Sequence, residues 1–392
     1  MGAGNLMIVQ GGGPTSVFNA SLSSAIEEAK SQQGIGRIYG ARYGMRGLVN
    51  GDVVELGRLG ADELRLLHDS PGAALGSSRH KPTDDDFERM VETLRQLEVR
   101  SLIFMGGNGT MRGAALVSER CRKQGFEALI IGVPKTVDND IALTDRCPGY
   151  ASSARYMAQS TRDLAMDIRS LPQPVTILEV IGRSIGWLAA ATALAKENEA
   201  DAPHIVFLPE KPFQKDKFLA NLDAIVSKLG WAIVVCSEGI LNPDGSLVYE
   251  LKDPTHLDPL KRPMTGGVGQ FLADMVGANL KIRCRSEKPG LIARAAMAHV
   301  SKQDRKDAEL VGRAGVRALA DGESDKMVSL LPLADSGKCG YELVPLSKVT
   351  DVERRFPAEW IQDSVIPVGD EFFEYARPLV GDLAPYFVRF TN

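Results

Sequence analysis

Cysteine is scarce in this chain. The five residues (Cys121, Cys147, Cys236, Cys284 and Cys339) are odd in number and widely scattered. They show no paired spacing of the kind that frames a disulfide scaffold or a structural zinc site. Long apolar runs are missing too: the strongest, IGWLAAATALA from Ile185, is far too short to cross a bilayer. The start, MGAGNLMIVQ, lacks the basic region and apolar core of a signal peptide, and Leu6 stands where a myristoylation signal requires Ser or Thr. Charge of one sign is not in excess either. A formal net charge of -4 removes any broad electrostatic reason to bind nucleic acid or an anionic membrane. There is no short fixed-period repeat and no low-complexity tract. These absences predict a soluble, cytoplasmic protein with neither a nucleic-acid nor a membrane partner.

What is present is ordinary globular material. Hydrophobic residues make up 44% and charged residues 24% of 392, a length that favours two cores over one. Short apolar runs (NLMIVQ, RSLIFMGG, ALIIGVP, PVTILEVIG, HIVFLPE, WAIVVCSEG) alternate with longer segments of helical period such as DDDFERMVETLRQL and DRKDAELVGRAGVRALADG. That alternation predicts an α/β protein with two doubly wound domains, each a parallel sheet covered by helices. The proline-rich stretch from Leu241 to Pro263 is expected to be an excursion between a strand and a helix.

In open α/β sheets ligands bind beyond the carboxyl ends of strands. Here those ends read QGGGPTS, MGGNGTM, PKTVDND, VIGRSIG, LPEKP and CSEGI, rich in glycine or charge. A glycine-rich turn into a helix can cradle a phosphate on its backbone amides, although such a turn often needs no ligand. Two of them in one domain strengthen the case for a phosphate-rich ligand. PKTVDND adds what a cradle lacks. Phosphoryl transfer needs a base for the acceptor hydroxyl, a cation beside the transferring group and a carboxylate for magnesium. Asp138, Lys135 and Asp140 could fill those places, and an extended backbone would set both carboxylates on one face. Asn108 is neutral, suited to a phosphate or a metal-bound water more than to magnesium itself. Arg79 in GSSR, Arg183 in VIGR and Glu238 in SEG suit phosphate and sugar oxygens, though each alone could be a surface ion-pair partner.

Taken together, GGNGT, PKTVDND, VIGR and SEG resemble, in order and spacing, the motifs of the phosphofructokinase family from about Asn5 to Gly322. The resemblance implies two α/β domains with the active site in the cleft between them. Residues 1–150 with about 289–338 would bind the donor. Residues 151–288 with about 339–392 would bind the sugar phosphate. It implies that Asp138 is the base acting on the C1 hydroxyl of fructose 6-phosphate, with Lys135, Thr136 and Asp140 beside the phosphoryl group and Mg2+. Gly12, Gly13, Arg79, Gly107, Asn108, Gly109 and Thr110 would line the donor. Thr136, Asp138, Ile181, Gly182, Arg183, Glu238 and Arg294 would line the sugar phosphate, and Asp140 and Asn108 would lie at the metal. A homodimer or homotetramer is implied as well.

Three departures stand out. Asn108 replaces the family's magnesium-binding aspartate, Ile181 replaces a methionine, and KIRCRSEKPGLIAR replaces a histidine-containing acceptor segment. Lys135, with the character of GGGPTSVFNAS and TDRCPGYASSARY, resembles the pyrophosphate-dependent branch. Gly109, where that branch commonly has aspartate, leaves room for ATP. Pyrophosphate is therefore the expected donor, with ATP, another ketose phosphate acceptor, an NAD or lipid kinase, or a catalytically silent homologue as the alternatives.

Overall fold

The computed structural model of the chain describes all residues except 1–3, 79, 81, 171–173, 251–265, 335, 336, 338, 351 and 386–392. Two compact units emerge: Met1–Tyr150 with Arg294–Arg354, and Ala151–Ala293 with Arg355–Asn392. In chain order the strands are β1 (Gly4–Gln10), β2 (Ile35–Ala41), β3 (Val53–Glu55), β4 (Val99–Gly106), β5 (Leu129–Pro134), β6 (Val175–Val180), β7 (Ile205–Phe207), β8 (Ala232–Ser237), β9 (Cys284–Glu287), β10 (Lys326–Leu330) and β11 (Tyr341–Pro345).

The first unit holds a seven-stranded sheet ordered β11-β10-β5-β4-β1-β2-β3. Its five inner strands run parallel, and the edge strands β3 and β11 are antiparallel to their neighbours. NLMIVQ is apolar without alternation because both of its faces are covered. Leu6 and Ile8 join a core with Phe18, Leu22 and Ile26 of helix Phe18–Ser31 and Val311 and Leu319 of helix Lys302–Ala320. Met7 and Val9 join another with Phe87, Met90 and Leu94 of helix Asp84–Gln96 and Met111, Ala114 and Val117 of helix Asn108–Lys123. Each such buried side chain contributes about 1.5–3 kcal/mol over leaving it exposed. Helix starts follow local chemistry: Thr83 and Asp86 form a reciprocal capping box, and the Ser301 hydroxyl accepts from the amides of Gln303 and Asp304. Helices Phe18–Ser31 and Lys302–Ala320 pack closely because Gly312 has no side chain: a Cβ there would strike the Ser21 carbonyl oxygen.

The stretch after residue 339 departs from expectation. Expected with the second domain, it supplies β11, which pairs antiparallel with β10, Met327 opposite Val344 and Leu330 opposite Tyr341. Val344 and Leu346 then bury in the same core as Met327. Without β11, β10 would be an open edge.

The second unit carries a parallel four-stranded sheet, β7-β8-β6-β9. Val175, Ile177, Val234 and Cys236 pack with Phe218 and Leu222 of helix Lys215–Leu229 and Leu272 and Val276 of helix Val268–Leu280. The last segment of the chain returns to this unit through aromatic packing, with Phe356 edge-on to Trp187 at a centroid distance of 5.0 Å. Of the expected excursion, Leu241 and Leu247 form a bridge closed by the Asn242 amide on the Ser246 carbonyl at 2.8 Å. The remainder from 251 lies outside the described residues. Among the described residues no helix is long and apolar enough to cross a membrane.

Candidate active site

The expected site residues of the first unit converge at the carboxyl ends of β1, β4 and β5. The Gly11 amide donates to Met105 O at 2.8 Å, which ties the GGGPTS loop to β4, and Gly12 turns the chain at φ +77°. That left-handed conformation favours glycine. The Thr110 side chain fills the space beside Gly11 and Gly106, and a Cβ at either glycine would collide with its hydroxyl. Thr110 therefore locks the two glycine loops together. Gly107 precedes helix Asn108–Lys123 and its carbonyl accepts from the Thr110 and Met111 amides, so the positive end of the helix dipole follows directly on the β4 turn. A Cβ at Gly109 would meet no atom within 4 Å.

Lys135 follows β5 with only 2% of its surface exposed. Its backbone amide donates to Gly106 O at 2.9 Å, and its Nζ donates to Gly13 O at 2.5 Å. The same Nζ lies 3.2 Å from the position of a Cβ on Gly12, and 4.4 Å from the centroid of the Phe18 ring. Burial pulls this ammonium down to about 7, with Asp138 pulling the other way. Arg294 joins the group, its Nη1 lying 2.9 Å from a Cβ position on Gly13. The arginine implied for the sugar phosphate thus stands against the GGGPTS loop.

Beyond Lys135 the backbone leaves the strand, which corrects the expectation that Asp138 and Asp140 share a face by extended alternation. The Thr136 amide donates to Pro148 O at 3.2 Å, and the Asp138 amide donates to the Thr136 hydroxyl at 3.1 Å, a tight local turn. Asn139 then sits at φ +55°, its buried side-chain oxygen accepting from the Cys147 amide at 2.9 Å. Asparagine tolerates this left-handed geometry better than most residues. Helix Lys302–Ala320 supports the turn from behind, because the Asp304 carboxylate accepts from the Gly149 amide at 2.8 Å.

Asp140 and Asn108 meet directly. The Asn108 amide nitrogen donates to Asp140 Oδ2 at 2.9 Å and to the Asp140 carbonyl at 3.2 Å. That leaves Asn108 Oδ1 and Asp140 Oδ1 buried with no hydrogen-bond partner among the described residues. Burial raises the Asp140 carboxyl above its usual range, Glu353 adds to the rise, and hydrogen bonds from Thr136 and Asn108 oppose it. Glu353 arrives through a bridge to Ile141, and the Arg354 amide donates to Asp140 O at 2.8 Å. Neither Glu353 nor Phe18 carries a local motif in the sequence. Glu353 reaches Ile141 because the chain beyond β11 returns there, a placement set by the fold and not by a motif.

A second group forms in the second unit, beyond β6 and β8. Gly182 has φ +143° and Arg183 has φ +52°, a left-handed position held by neighbours. The Arg183 amide donates to Glu238 Oε1 at 3.2 Å, and the Ser237 hydroxyl donates to the Arg183 carbonyl at 3.1 Å. A Cβ on Gly239 would strike that carbonyl. Ile181 and Arg183 are both accessible, the latter exposed. VIGR and SEG therefore act as one clasped pair of loops. Arg79 lies outside the described residues.

These are the marks of a phosphotransferase, with glycine cradles and a buried lysine beside two carboxylates. The phosphofructokinase family model matches residues 5–319, and the chain belongs to that family. It is 34% identical to the pyrophosphate–fructose 6-phosphate 1-phosphotransferase of Xanthomonas campestris pv. campestris (strain B100), over 97% of this chain and 93% of that one. It is 32% identical to a sulfofructose kinase of Alkalicoccus urumqiensis, over 91% of each. The crystal structure of pyrophosphate-dependent phosphofructokinase from Marinobacter aquaeolei superposes with a TM-score of 0.87 at 31% identity, covering 99% of this chain and 94% of that one.

Proposed function

We propose that this enzyme transfers a phosphoryl group from pyrophosphate to the C1 hydroxyl of fructose 6-phosphate, giving fructose 1,6-bisphosphate and orthophosphate. The observation that carries the reading is the buried Lys135 ammonium, set on the Gly12–Gly13 loop in the same turn as Asp138 and Asp140. Asp138 accepts the C1 hydroxyl proton as that oxygen attacks phosphorus, and the bond to the leaving orthophosphate breaks. Lys135 offsets the charge that develops on the group in transit, with Thr136 beside it. Gly12, Gly13, Gly107, Asn108, Gly109 and Thr110 receive the donor phosphates, with Arg79 adding charge. Ile181, Gly182, Arg183, Glu238 and Arg294 hold the sugar phosphate.

Magnesium fits the residues present. Asp140 Oδ1 and Asn108 Oδ1 are buried oxygens with no partner among the described residues, the hard donors this ion takes together with substrate phosphates. Asp140 would hold it directly, with Asn108 directly or through water, and the ion when bound neutralises phosphate charge. In this reading the protein works in the cytoplasm as a homodimer or homotetramer, with no nucleic-acid or membrane partner.

A second donor reading, ATP, rests on the open space at Gly109. The test is purified protein with magnesium and fructose 6-phosphate, given either donor, with products followed by phosphorus NMR. Turnover with pyrophosphate is expected. Turnover with ATP alone overturns the donor, turnover with another ketose 6-phosphate or sulfofructose but not with fructose 6-phosphate overturns the acceptor, and turnover with none of them favours a catalytically silent homologue. Asp138→Asn should lower kcat by roughly 10²–10⁴, the usual worth of a general base. Unchanged turnover would remove Asp138 from its role.

A further inference from the structure

Phe18 is fully buried at the first turn of helix Phe18–Ser31, and the simplest account of it is core packing with Leu22 and Ile8. One contact goes beyond that account. The Lys135 Nζ sits 4.4 Å from the ring centroid, well inside the roughly 6 Å over which a cation is drawn to an aromatic face. Burial works against the ammonium's charge. The group is almost completely excluded from water, and the hydrogen bond it donates goes to a neutral carbonyl, Gly13 O at 2.5 Å. The ionisable groups that face it are Asp138, Asp140 and Cys147, which favour its charge, and Arg294, which opposes it. Burial dominates and brings the ammonium down to about 7. A leucine at position 18 would fill the core as well, but an alkyl group has no quadrupole to offer a desolvated cation.

We propose that Phe18 is a positioning residue for phosphoryl transfer: its ring face keeps the Lys135 ammonium charged and aimed at the Gly12–Gly13 loop. The inference rests on the reading of Lys135 given under Proposed function. Phe18 is fully buried, so its effect passes wholly through the lysine. Its contribution therefore depends on the electronics of the ring more than on its volume.

Fluorination separates the two. Replacing Phe18 with mono-, di- and trifluorinated phenylalanines drains the ring face stepwise while leaving the side chain nearly the same shape. The expected result is a graded fall in kcat reaching about tenfold for the trifluorinated ring, a decade being worth about 1.4 kcal/mol. The acceptor KM should stay within about twofold. In the substrate-free protein, nitrogen NMR of the Lys135 ammonium should show its titration moving about one pH unit lower. The alkaline limb of kcat/KM for pyrophosphate, which reports the free enzyme, should move with it. Phe18→Leu should reproduce the trifluorinated form, with unfolding temperature as a check on the core.

Fluorinated forms with an unmoved titration and unchanged kcat would overturn the inference and return Phe18 to core packing alone. The same series in a Lys135→Met background separates the two levels of the argument. If Lys135→Met keeps full turnover, the reading of Lys135 fails. If Lys135→Met is impaired and the ring series is inert in the native background, only the Phe18 inference fails. Support requires the ring series to act on the native enzyme and to have no effect once the lysine is gone.

Discussion

Replacing Asn108 with aspartate tests the centre of the site, because the amide has two jobs that the carboxylate would separate. In the native protein its nitrogen donates to Asp140 Oδ2 at 2.9 Å while its oxygen has no partner among the described residues. Aspartate keeps the oxygen and loses the donor. The lost charge-assisted hydrogen bond costs about 2 kcal/mol. Two carboxylates about 4 Å apart add up to about 4 kcal/mol at an effective dielectric constant near 20, part of which the pair sheds by taking up a proton. A net loss of about 3 kcal/mol is expected without metal. For a unit of about 200 residues that lowers Tm by roughly 6–12 °C.

The deficit should depend on pH in a defined direction. Asp140 already has its carboxyl raised by burial, and a second carboxylate raises it further. A raised carboxyl pKa means that the folded state binds more protons than the unfolded one, so stability falls as pH rises above the unfolded value. Asn108→Asp should therefore be closest to the native protein near pH 5 and furthest from it near pH 9. Magnesium reverses the sign of the added charge, and at about 100 times its Kd it should return about 2.7 kcal/mol to the variant. The assay is a thermal melt in a chelator and in excess magnesium. An unchanged metal-free melt at pH 8 would mean that the Asn108–Asp140 hydrogen bond does not hold the site. A lowered melt that magnesium fails to raise would refute a shared cation position at Asp140 and residue 108.

Lys135→Met should lower kcat by roughly 100- to 1000-fold, comparable to losing one transition-state donor, while acceptor KM stays within about threefold. A variant impaired only in KM would contradict the assignment. Because burial holds the lysine near 7, the native protein should also gain stability relative to Lys135→Met as pH rises from 7 toward 10. Gly109→Asp should fold normally, since nothing lies within 4 Å of its Cβ, and an acid in the first helical turn adds about 0.3–1 kcal/mol. It should retain pyrophosphate turnover while cutting any turnover with ATP by at least about 100-fold, about 3 kcal/mol of repulsion at 5 Å. Undiminished use of ATP would show that residue 109 does not face the donor.

The longer elements were legible because their cause is local. NLMIVQ and ALIIGVP are buried on both faces and read as strands, and Thr83 and Ser301 announce their helices. Strands β2, β9, β10 and β11 were not legible in the same way. IGRIYGA carries three exposed or half-buried residues at its start, and CRSE alternates between half-buried and exposed. Only their neighbours make them strands. The site divides along the same line. Strand ends pointed to Lys135, Asp138 and Asp140, but the left-handed Asn139 between the two carboxylates depends on the Cys147 amide eight residues on. The Phe18 ring lies 117 positions before the lysine it faces, and no spacing rule reaches that far.

The glycines of the two loops show what the fold demands and what it leaves to chemistry. Gly11 and Gly106 leave room for the Thr110 side chain, and Gly12 carries a left-handed backbone, so substitution at any of the three disturbs the loop itself. Gly109 faces no such demand. A Cβ there, at the start of helix Asn108–Lys123, meets open space, and an acid would favour the helix more than glycine does. A glycine that costs stability and relieves no clash is accounted for by what must pass near it. In the proposed reading, what must pass near it is the phosphoryl donor. Packing therefore decides nothing about the donor at residue 109; charge and room do.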